Sequence, residues 1–116
     1  MKMNLENTIE FKKDFKKLFK KFKSLDKDLI DFKKVLNEAS LGIGKHFNII
    51  TKNEQCIIVK ARLFCRCLKG SSLRIIYAFH SNDLKINFIE IYFKGEKKNE
   101  NFNRIKDYLK KLLKQK

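Results

Sequence analysis

The sequence predicts an α+β domain: an N-terminal helical hairpin packed on a small antiparallel β-sheet, with a closing C-terminal helix. Two observations carry this prediction. Residues 11–36 space their apolar side chains as helices do, and residues 56–94 alternate as strands do. A third sets the organisation: no Pro, linker-like Gly/Ser tract or internal repeat interrupts the 116 residues, so 1–116 reads as one domain.

The elements follow in order. Ile9 and Phe11 close a short first strand. Phe11, Phe15, Leu18, Phe19 and Phe22 then form one stripe of a helix, with lysines filling its other face. Ser24 is the expected N-cap of a second helix, with Asp26 and Asp28 in its first turn and Leu25, Leu29, Phe32 and Leu36 as its stripe. Gly42 and Gly44 mark a connection, and His46–Thr51 is a candidate strand. Cys56–Leu68, Leu73–His80 and Leu84–Lys94 are three strands separated by turns at 69–72 and 81–83. Short turns between consecutive strands predict an antiparallel meander. Gly95–Asn99 breaks the last strand, and Ile105, Tyr108, Leu109, Leu112 and Leu113 mark the closing helix.

Charge narrows the function. The formal net charge is +15, with 11 Phe available for a core, so the chain is a folded basic domain rather than a basic tail. Such an excess implies an anionic partner: nucleic acid, an acidic protein or an anionic surface. The first residues carry no apolar run of the secretory kind, and no stretch approaches a membrane span. Three cysteines without CxxC spacing fit a reducing compartment, and a cytoplasmic location is expected.

Among 28 basic residues only four are Arg, and three of these are Arg62, Arg66 and Arg74. In a chain that otherwise uses Lys, arginine marks places that want a planar, bidentate fork for phosphate or carboxylate. Strand parity sorts the side chains. Val59, Ala61, Leu63, Cys65 and Cys67 share one face with Ile75, Tyr77, Ile89, Ile91 and Phe93. Lys60, Arg62, Arg66, Arg74, Glu90, Tyr92 and Lys94 share the other, interleaved with Phe64 and Phe88. Cations alternating with aromatic rings suit phosphate contact and base stacking.

The segments Val59-Lys-Ala-Arg62, Lys69-Gly-Ser-Ser-Leu-Arg-Ile-Ile-Tyr77 and Ile89-Glu-Ile-Tyr-Phe-Lys94 resemble the RelE/ParE superfamily of bacterial type II toxins. The opening Phe11-Lys-Lys-Asp-Phe15 and the hairpin from Ser24 are similar as well, so the resemblance runs over residues 6–113. It implies the toxin of a toxin–antitoxin system: an endoribonuclease without metal or other cofactor that cuts mRNA, commonly on the ribosome, and is silenced by a cognate antitoxin. The chemistry would be attack of a ribose 2′-hydroxyl on the adjacent phosphate. By position, Lys60 and Arg62 match the basic strand pair of RelE-like enzymes, Arg74 their following-strand arginine and Lys94 the basic residue closing the last strand. Arg62 and Arg74 are then expected to hold phosphate. Lys60 serves as base if neighbouring cations depress its pKa, and Tyr92 or Lys94 as acid. Glu90 is an alternative base, or a charge partner for Arg62 or Arg74. Arg66, Lys69 and Phe64 would add RNA contacts. Two other readings stay open: a ParE-like inhibitor of DNA gyrase on the same fold, and a degenerate member that binds RNA or antitoxin without cutting.

Other constellations are weaker. Gly42-Ile-Gly-Lys45 lacks P-loop spacing. Cys65 and Cys67 with His46 and His80 do not have zinc-site spacing, and both cysteines are expected buried. His80, at a strand end, is expected on the surface. The Phe/Lys helix is expected on the sheet rather than on a membrane.

Overall fold

Thr8 sets where the first helix begins. Its backbone is extended, and its hydroxyl accepts from the Phe11 N–H at 3.1 Å while donating to the Phe88 carbonyl at 2.9 Å. In the computed structural model, which describes residues 3–38, 47–68 and 72–114, Ile9 and Phe11 therefore lie in α1 (Ile9–Phe19) and do not close a strand. The first strand is β1 (Asn4–Asn7). A turn leads to α2 (Leu25–Glu38), where the Ser24 carbonyl accepts from the Asp28 N–H at 2.9 Å, and Asp26 and Asp28 occupy the first turn. Then come β2 (Phe47–Lys52), β3 (Ile57–Phe64), β4 (Ser72–His80), β5 (Lys85–Phe93) and α3 (Phe102–Lys114).

Among the described residues the sheet has five strands in the order β1-β5-β4-β3-β2. The meander β2–β5 is antiparallel, as expected, but β1 runs parallel to β5, with Asn4 opposite Lys85. The sheet is thus mixed. The connection between these parallel neighbours runs over the hairpin to the far edge of the sheet and back through β2, β3 and β4.

One face of the sheet carries the hairpin. Phe11, Leu18, Leu25, Leu29, Phe32 and Leu36 meet Val59, Ala61, Leu63, Ile75, Tyr77, Phe88 and Ile91 in a single buried cluster. Aromatic contacts fix their order: Phe11 stacks on Phe88 at 5.3 Å, and Tyr77 meets both Phe32 and Phe88 edge-on. The other face is shared. Ile58, Ile76, Ala78 and Ile89 pack against Ile105 of α3, flanked by Tyr108, Leu109 and Leu112.

A bulge corrects the parity expected for β5. Ile76 lies opposite Glu90 but Tyr77 lies opposite Phe88, so Ile89 is the extra residue. Phe88 is thereby turned into the hairpin core and Ile89 under α3. A second correction comes at the end of β3. The strand stops at Phe64, so Cys65 is buried whereas Cys67 is exposed.

Candidate nucleic-acid interface

The register across three strands builds the site. Arg62 lies opposite Arg74, and Arg74 opposite Tyr92, so the three form one row across β3, β4 and β5. Two residues along, Lys60, Ile76 and Glu90 form the next row. Both rows belong to the face that α3 shares. The helix packs on the apolar part of that face, around Ile58, Ile76, Ala78 and Tyr92, and of the charged side chains in the two rows Arg62 alone is exposed.

The two arginines differ in burial. Arg62 is exposed, and among the described residues it makes no ion pair; Arg74 is only 8% exposed. Burial lowers the Arg74 pKa from its ordinary value, and the Arg62 charge lowers it further. Like charges opposite one another across a strand pair oppose folding, and an anion between them reverses that sign. Phe64, two residues along β3 from Arg62, is 68% exposed and offers a free ring face on that side.

Lys60 does not meet the condition for a base. Burial alone would lower its pKa, but the Glu100 carboxylate, 3.0 Å from Nζ, and the Tyr92 hydroxyl outweigh it and hold the value above that of a free lysine. Lys60 is therefore an ammonium at neutral pH. Its ionic partner comes from the turn between β5 and α3, where no strand or helix period draws attention to a residue.

Tyr92 is 5% exposed, and its hydroxyl has no hydrogen bond of ordinary geometry among the described residues. Burial raises its pKa, opposed by the nearby Lys60 charge. The Lys97 ammonium stands 5.6 Å over its ring. Lys97 also closes on Glu90 at 2.5 Å, and Glu90 accepts from the Asn101 N–H at 2.8 Å. Glu90, at 1% exposure, is thus spent on anchoring the 94–101 turn rather than on Arg62, Arg74 or a substrate proton. Lys94 is exposed in that turn, just past the end of β5. Beside Tyr92, a cleft of about 290 Å³ is lined by Asp14, Lys17, Lys21, Glu90 and Lys97.

Arg66 is not part of this surface. Past the end of β3 it turns to α2, pairing with Asp28 at 2.6 Å and Asp31 at 2.5 Å, while its N–H donates to Asp28 at 3.2 Å. It clamps the hairpin to the sheet. Phe88 is buried and offers no ring for stacking. Lys69 and His46, like the Gly42–Lys45 fragment, lie outside the described residues. His80 is buried rather than on the surface, with Nε2 2.6 Å from the Tyr108 hydroxyl. Burial lowers the His80 pKa and raises that of Tyr108 to about 12. The remaining arginine, Arg104, ties α3 to α1 through Asp14 at 2.6 Å and to the Ile89 carbonyl at 3.2 Å.

Among the described residues no group of three or more His, Cys, Asp or Glu side chains is placed to hold a metal ion. No helix there is long and apolar enough to cross a membrane. Two opposed guanidinium groups beside an exposed aromatic ring have the chemistry to hold an anion of phosphate type. Compared with known proteins, the chain matches no protein-family model, no curated protein and no solved structure.

Proposed function

We propose that this chain is an endoribonuclease of the RelE type, the toxin of a toxin–antitoxin pair. The observation that carries the reading is the Arg62–Arg74–Tyr92 row, in which Arg62 is exposed and Arg74 and Tyr92 are buried behind it, with Lys60 in the neighbouring row. Opposed arginines attract a phosphodiester and stabilise the charge that develops on its oxygens during 2′-hydroxyl attack. Phe64 stacks a flanking base. Tyr92 and Lys94 are the acid candidates for the leaving 5′-oxygen. The element order, with the hairpin on one face and the basic row on the other, agrees with the resemblance that suggested the reading. A cognate antitoxin would silence the toxin by presenting carboxylates to the row. mRNA, on the ribosome, is the proposed substrate, and the cytoplasm the proposed compartment.

The test uses purified protein and a labelled single-stranded RNA, with a chelator present to check that cleavage needs no metal. Cleavage is expected with a 2′,3′-cyclic phosphate end, to vanish when the ribose at the cut carries 2′-hydrogen, and to drop at least 100-fold in Arg74→Ala. A stable complex with uncut RNA favours a binding module. Growth arrest in cells without new RNA ends, and inhibition of gyrase supercoiling, favour the ParE-like alternative.

A further inference from the structure

The proposed reaction needs a proton acceptor that the named site residues do not supply. Lys60 is held as an ammonium, and Glu90 is enclosed and bound by Lys97 and Asn101. The arginines do not deprotonate. In the cleft beside Tyr92, Asp14 is held by Arg104 and Glu96 by Lys21, which leaves the carboxylate that touches Lys60. Glu100 holds Oε1 3.0 Å from Lys60 Nζ, and its charge reaches Tyr92. The 94–101 turn that carries it is fixed at two points by Glu90, so Glu100 is placed by the fold rather than by chance of a surface rotamer.

Two features separate this pair from an ordinary surface ion pair. Its carboxylate is 8% exposed, whereas the Lys60 side chain is 25% exposed. The pair therefore opens to solvent through the ammonium. Beside it lies the buried Tyr92 hydroxyl, which has no hydrogen bond of ordinary geometry among the described residues and interacts with the Lys60 ammonium. A surface pair has neither.

We infer that Glu100 is the general base of this site, taking the proton of the attacking 2′-hydroxyl while Lys60 holds both its carboxylate and the scissile phosphate. The inference rests on the endoribonuclease reading. An ammonium has three N–H donors, so Lys60 bonds Glu100 with one and a phosphate oxygen with another. A phosphate seated there brings the neighbouring 2′-oxygen within reach of the carboxylate. As the 2′-O–H bond breaks, its proton passes to Glu100, and the oxygen's electron pair forms the new bond to phosphorus. The bond from phosphorus to the 5′-oxygen breaks with its electrons on oxygen, which takes a proton from the acid. Glu100 then releases its proton to solvent and the acid regains one, leaving a 2′,3′-cyclic phosphate and a free 5′-hydroxyl.

The experiment compares wild type, Glu100→Gln, Glu100→Asp and Arg74→Ala for single-turnover RNA cleavage, for binding of an RNA made uncleavable by 2′-hydrogen, and for thermal unfolding. Glutamine keeps the size and the hydrogen bond from Lys60 but takes no proton. The expected result is a loss of cleavage of at least about 100-fold in Glu100→Gln with binding retained. Glu100→Asp, which keeps a carboxylate and guards against a folding defect, is expected to retain more activity than Glu100→Gln. If Glu100→Gln cuts at the wild-type rate or faster while Arg74→Ala does not cut, the base assignment is overturned and the endoribonuclease reading stands. If wild type cuts no RNA, both fall together.

Discussion

On the hairpin face, Val59, Ile75, Tyr77 and Phe88 meet α1 and α2 in one continuous apolar layer, whereas the opposite face changes character along each strand. β3 passes from Ile58, under α3, to Lys60 and Arg62; β4 passes from Ala78 and Ile76 to Arg74; β5 sets Glu90 between Ile89 and Tyr92, both in the cluster under α3. A face covered end to end can be apolar throughout. A face that a helix covers only in part must carry the boundary between dry and wet within single strands, and buried ions such as Arg74 and Glu90 sit at that boundary. The comparison teaches where apolar packing and charge are separated: one side is a continuous core, and the other mixes core with ions, of which Glu90 anchors the 94–101 turn and Arg62 alone stands exposed.

The largest effect that would break this comparison belongs to the hairpin face. Phe88, fully buried between Phe11 and Tyr77, is expected to cost about 3–5 kcal/mol on truncation to Ala. Urea unfolding measures this, and a loss below 1 kcal/mol would mean the bulge does not turn Phe88 inward. Ile105, the anchor of α3 at 3% exposure, is expected to cost less, about 2–4 kcal/mol as Ala, because its cluster is smaller. Equal costs at the two positions would deny the difference between the faces.

The boundary is legible in pH as well. His80 is buried beside Tyr108 with Lys85 near, and its pKa lies below the ordinary imidazole value of 6.5, mainly through burial and then through Lys85. Asp83 and Glu6 oppose that shift without reversing it. The unfolded chain therefore takes up the proton first. The stability from neutral His80 is full above pH 6.5 and is lost as pH falls from there through the lowered folded value. Denaturant midpoints of wild type and His80→Gln, measured from pH 8 to pH 5, should show a steeper acid decline in the wild type. Parallel curves would place the acid sensitivity elsewhere.

The smallest effect on stability sharpens the comparison most. Arg62→Ala removes an exposed side chain and relieves Arg74 of a repelling neighbour, so stability should change by less than about 0.5 kcal/mol. Its effect should fall instead on RNA: weaker binding at low salt, and a salt dependence shallower by about one phosphate contact. A destabilised Arg62→Ala with unchanged RNA affinity would reverse the proposed division of labour.

Much of this was readable in the chain, and the reason is period. The stripe from Phe11 to Phe22 and that from Leu25 to Leu36 each serve one uniform apolar surface, so their spacing reports it. That Arg62 and Arg74 share a face followed from strand parity, because no bulge lies between β3 and β4; that they stand directly opposite is a matter of register, which parity does not give. Where parity failed, a backbone event had no residue signature. Phe88-Ile89-Glu90-Ile91 is equally compatible with a regular strand, and only the partners of Ile76 and Tyr77 reveal the extra residue. β1 is short and only Leu5 of its four residues is apolar, so nothing in it announced a parallel neighbour. Arg66 was misplaced because β3 ends two residues before it, and its side chain turns to Asp28 and Asp31. Glu100 carried no signal at all, since a turn has no period.

The parallel seat of β1 also has a consequence in time. The Thr8 hydroxyl and the carbonyl of Phe88 that receives it are 80 residues apart in the chain. During synthesis at ordinary rates, about 4–16 s separate the appearance of the two. For that interval the first strand has no partner, and the phenylalanines of α1 have no β5 to cover them. The nascent chain thus offers a hydrophobic, lysine-flanked segment to its surroundings before any basic row exists on the sheet, and whatever holds that segment during synthesis meets the protein before its site is assembled.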